Sequence, residues 1–75
     1  MRFDVSDMIN RFTTIWGDPK TDDVDRYFEE YHRALNGTDP QLLRSATDAC
    51  IDTETYWPRP AVVKKQVDLA AARKA

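Results

Sequence analysis

His32 follows Glu29 by three residues, and a Glu-x-x-His step is the unit from which carboxylate-bridged di-iron bundles are built. Such a centre uses two of these steps plus two further glutamates, whereas this chain has one histidine and the three glutamates Glu29, Glu30 and Glu54. Only a symmetric dimer would approach that ligand count. The expectation is therefore a histidine on a helix flank and no metal. Asp22, Asp23 and Asp25 have the look of a calcium loop, but the glycine at its sixth position and the glutamate at its twelfth are missing. Service at a helix N-terminus explains them better. Cys50 is the single cysteine, with no basic residue near it in sequence to make a thiolate, so it reads as a buried, inert thiol. With two glycines, Gly17 and Gly37, there is no Gly-rich phosphate loop. These residues point away from an enzyme and toward a protein without cofactors that works by binding.

Candidate binding groups fall into three sets. Asp22, Asp25, Glu29 and Glu30 form an acidic face on one helix, suited to a partner with a basic surface. Tyr56, Trp57 and Arg59 lie in a proline-flanked loop. There they either cap the core, the reading favoured for Trp57, or stand out as an anchor. Lys64, Lys65, Arg73 and Lys74 form a basic end able to meet phosphate. The charge is divided accordingly. Residues 1–55 carry six basic and twelve acidic residues, while residues 56–75 carry five basic residues and Asp68 alone. Within the acidic body, Asp22 with Arg26 and Glu29 with Arg33 have the spacing of helical ion pairs. Sequence-specific DNA reading is disfavoured, because the last helix offers one amide, Gln66, and the connection into it is longer than a helix-turn-helix allows.

The elements that must position these groups are helical. In 75 residues, 41% hydrophobic and 32% charged, there is material for one domain and no apolar run of the length a membrane span needs. The stretch MRFDVSDMIN has no apolar core of signal-peptide type, so a cytoplasmic location is expected. Val5, Met8, Ile9, Phe12, Ile15 and Trp16 recur at steps of three and four, predicting a helix over 4–16 that Gly17-Asp18-Pro19 stops. Thr21 or Asp22 caps a second helix over 22–35, with Val24, Tyr27, Phe28, Tyr31, Ala34 and Leu35 on its apolar stripe. Asn36-Gly37 ends it. Asp39-Pro40 opens a third helix over 40–52, the clearest start in the chain. Residues 53–59 read as a loop, Pro60 opens a fourth helix over 60–72, and the Ala-rich tail after it should fray. The expected fold is an all-α bundle of four short helices. Its core is thin for its entropy cost, so aromatic packing must supply much of it, and homodimerisation or partner binding would add to it.

The order Phe28-x-x-Tyr31-x-x-Ala34-Leu35, then Leu43-x-x-Ala46-x-x-x-Cys50-Ile51, then Tyr56-Trp57-Pro58-Arg59-Pro60-Ala61-Val62-Val63 resembles the phage replicative-helicase loader/inhibitor family at its N-terminal helical domain. Ile15-Trp16-Gly17-Asp18-Pro19 stands where that family closes its first helix with an aromatic-Pro element, and the likeness spans roughly residues 8–67. The resemblance implies a non-catalytic phage or prophage protein that binds a replicative helicase in the bacterial host and restrains or delivers it. In that family the segment after the helical domain engages the helicase. Few residues follow Ala70 here, so a short or missing segment is expected, and with it a scaffold reused for another partner. Three further readings stand beside it. The acidic face could mimic nucleic acid, as in anti-CRISPR inhibitors of host defence complexes; the basic last helix could bind nucleic acid directly; or the chain could be a phage assembly protein.

Overall fold

The computed structural model describes residues 2–74, with side chains through residue 73. Four helices run in the order α1 (Val5–Trp16), α2 (Val24–Leu35), α3 (Pro40–Thr53) and α4 (Pro60–Lys74). Each start has a local chemical cause. At α1, Asp4 accepts the Asp7 N–H while Asp7 accepts the Asp4 N–H, a reciprocal box that satisfies two amides. At α3, Asp39 accepts from Gln41 and Leu42, and Pro40 takes the first position, where no N–H is needed. At α2 the cap is Asp23, whose carboxylate accepts the Arg26 N–H at 3.0 Å, so the helix starts two residues later than the 22–35 expectation. Thr21 instead accepts the Asp23 N–H within the preceding turn.

The other ends need adjusting by small amounts. Helix α3 continues through Thr53, whose hydroxyl donates back to the Ala49 carbonyl. Helix α4 runs to Lys74, past the expected end at 72, because alanine, arginine and lysine are among the strongest helix formers. Glycine is required at two exits. Gly37 (φ 80) turns the chain out of α2, and Gly17 leaves α1 at φ 74, ψ −166, a region other residues all but avoid. Nothing lies within 4 Å of where a Gly17 Cβ would stand, so the cost of a side chain there is the backbone itself. Gly17→Ala is expected to lower stability by about 1–3 kcal/mol, read as a reduced urea midpoint with unchanged slope.

The buried stripes of α1 (Val5, Met8, Ile9, Phe12), α2 (Tyr31, Leu35) and α3 (Leu43, Ala46, Cys50) meet Val63 of α4 in one core. Helices α3 and α4 form the most extensive pairing, and α1 and α2 close over it. The centre of the aromatic packing is a loop residue. Trp57 is 7% exposed, and its ring centroid lies 5.5 Å from Phe12, 5.7 Å from Phe28, 6.0 Å from Tyr27, 6.1 Å from Tyr31 and 6.4 Å from Trp16. Its indole N–H donates to the Gly17 carbonyl at 2.8 Å. Beside it the Tyr31 hydroxyl donates to the Pro58 carbonyl, and the Tyr56 hydroxyl accepts the Lys20 N–H at 2.8 Å. The α3–α4 loop is thereby tied to α2 and to the α1–α2 linker.

Candidate partner-binding surfaces

With the fold in place, the acidic set stands in the open. Asp25 and Glu29 sit one turn apart on α2, Glu30 beside them, and Asp22 in the turn that leads into the helix; all four are exposed. The ion pairs expected between Asp22 and Arg26 and between Glu29 and Arg33 do not form. Among the described residues the one ion pair is Arg11 with Asp48, joining α1 to α3. A long side chain held to a partner in water loses as much entropy as it gains in attraction, so a spacing that permits a pair does not enforce one. Asp22, Asp25, Glu29 and Glu30 have no ion pair among the described residues.

The loop set divides. Trp57 lies inside the core, as the capping reading has it, and has no surface to offer a partner. Tyr56 is 40% exposed while its hydroxyl is held by the linker, and Arg59 is exposed without an ion pair. Of the basic end, Lys64, Lys65 and Arg73 are exposed on α4, and the side chain of Lys74 lies outside the described residues.

The residues weighed for chemistry are not brought together. His32 is exposed near the end of α2, and among the described residues no three His, Cys, Asp or Glu side chains gather as metal ligands. Cys50 is buried, and that burial, followed by the nearby Glu54 charge, pushes its thiol up to about 11. At neutral pH it is a thiol with no thiolate character. No helix among the described residues is long and apolar enough to cross a membrane.

One grouping escaped the sequence reading. Arg2, Arg11 and Arg44 come from the N-terminal segment, α1 and α3, yet line one cleft of about 500 Å³ with Phe3, Asp7, Asn10 and Asp48. Residues this far apart in the chain leave no spacing signal, and only the crossing of α1 over α3 assembles them. Compared with protein-family models, curated proteins and solved structures, the chain matches none.

Proposed function

We propose that this is a small non-catalytic phage or prophage protein that docks on a larger protein in the bacterial cytoplasm and modulates it. The family resemblance makes that protein a replicative DNA helicase. The observation that carries the reading is the set Asp22, Asp25, Glu29 and Glu30, exposed and without an ion pair on α2 and its entry. Unpaired carboxylates on a rigid helix cost nothing to uncouple and meet a basic surface directly. The exposed edge of Tyr56 and the free Arg59 would flank the contact. The mechanism is steric occupation of the partner, with no bond made or broken. The same face would serve an inhibitor that mimics nucleic acid, in which case the partner is a defence complex.

The test is affinity capture from nuclease-treated host lysate with wild-type protein and the double variant Glu29→Lys/Glu30→Lys side by side. The wild type is expected to recover a replicative helicase or its loader, and the variant to lose it by about tenfold or more. Equal recovery by both overturns the acidic-face assignment. Recovery of a different nucleoprotein complex by the wild type alone moves the reading to the inhibitor. A second reading rests on Lys64, Lys65 and Arg73, exposed on α4 without ion pairs: direct nucleic-acid binding that weakens steeply with salt. Affinity that ignores salt would end it.

A further inference from the structure

The cleft lined by Arg2, Arg11 and Arg44 has a sign that depends on which of its charges are already engaged. Asp48 is engaged by Arg11. Asp7 accepts the Asp4 N–H in the box that opens α1. The side chains of Arg2 and Arg44 have no ion pair and no hydrogen bond, and both residues are exposed. Asn10 adds an amide, and Phe3 a half-buried ring. Asp7 keeps its charge, so what faces this open cleft of about 500 Å³ is two unpaired guanidinium forks and the Asn10 amide against one carboxylate, a net positive charge. Guanidinium forks match the oxygens of a phosphate in pairs, where an ammonium offers only a point charge.

We propose that this cleft is a binding site for a phosphate oxyanion, with Arg2 and Arg44 as the two arms and Asn10 as an additional donor. The site lies on the N-terminal segment, α1 and α3 and does not depend on the α2 face. Arg11 lines one wall, and its pairing with Asp48 offsets the carboxylate that would otherwise repel the ligand. A phosphate fits better than a carboxylate, since its additional oxygens let both forks and the Asn10 amide bind at once on separate oxygens.

The test is a 15N-correlation NMR titration of the whole chain with inorganic phosphate at fixed ionic strength, with chloride and acetate as parallel probes. Phosphate is expected to give saturable shifts at residues 2, 10 and 44, with a dissociation constant below about 10 mM. Arg2→Gln and Arg44→Gln should each weaken it by about tenfold, and the double variant should remove it. Both side chains are exposed, so the variants keep the fold, which their unchanged remaining spectra will show. Arg44→Lys restores charge without the fork and should recover only part of the affinity. Non-saturating shifts, equal shifts with chloride or acetate, shifts concentrated on α4, or wild-type affinity in the double variant each overturn the assignment.

Discussion

Trp57→Ala is expected to unfold the protein at 25 °C. Removing a buried tryptophan costs about 3–5 kcal/mol, and a single core in a domain this small rarely supplies more than about 3–5 kcal/mol in total. The position makes the upper end of that range the relevant one. Trp57 touches aromatic rings of both α1 and α2, and each such ring pair adds about 0.5–1.5 kcal/mol beyond its buried area. Its indole N–H also satisfies the carbonyl of Gly17, so truncation frees the α1–α2 linker as well. Far-UV circular dichroism should show loss of most helical signal, and the melting midpoint should drop below room temperature. Trp57→Phe keeps a ring in place and loses the hydrogen bond, so it should remain folded with a lowered midpoint. A Trp57→Ala protein that melts within about 8 °C of wild type would show that the aromatic cluster is not the main support of the bundle.

That prediction marks where sequence reading stops. The helices were legible because their signals are local. Asp39-Pro40 and Gly37 act within one turn, and the apolar stripes of α1 and α2 repeat at helical steps. Trp57 has no such period, since a loop tryptophan ahead of two prolines has the same sequence signature whether it faces inward or outward. What decides it is the closure of α1 and α2 over the loop, which is a tertiary fact. The α2 cap failed for a related reason. Thr21, Asp22 and Asp23 can all accept an amide, so residue type alone does not choose among them, and the structure uses Asp23. The acidic face was legible as composition. That its carboxylates stay unpaired was not, because Glu29 and Arg33 have the spacing for a pair and the structure leaves it unmade. The arginine cleft was invisible, because its residues meet only where α1 crosses α3.

Stability is expected to fall steeply above pH 9, and Tyr31 is expected to account for the later part of the fall. Burial, chiefly, raises both the Cys50 thiol, from its ordinary 9.0 to about 11, and the Tyr31 phenol, from its ordinary 10.0 to well above the usual range. For Tyr31 the hydrogen bond with Tyr27 adds to the effect. Below pH 9 both groups are protonated in folded and unfolded chains alike, so their contribution is fully present. Above 9 the unfolded chain releases the thiol proton and the folded chain keeps it, so stability declines by about 1 kcal/mol per pH unit. From pH 10 the phenol adds a second proton and doubles the slope, and the thiol's share levels off once the folded chain also titrates near 11. Tyr31→Phe separates packing from titration. It removes the donor to the buried Pro58 carbonyl, which should cost about 1–3 kcal/mol at pH 7. It also removes the proton responsible for the second slope, so its stability curve should approach that of the wild type as pH rises past 10. Cys50→Ala should abolish the earlier decline and leave the later one. Urea unfolding at pH 7, 9, 10 and 11 reads all three curves. A wild type whose midpoint is flat over that range, or a Tyr31→Phe curve that runs parallel to it, would show that the phenol does not titrate from a buried site. Convergence of the two curves is the stronger outcome, because a purely structural role for the hydroxyl lowers stability equally at every pH, and only a proton retained by the folded state makes the loss fade with alkalinity.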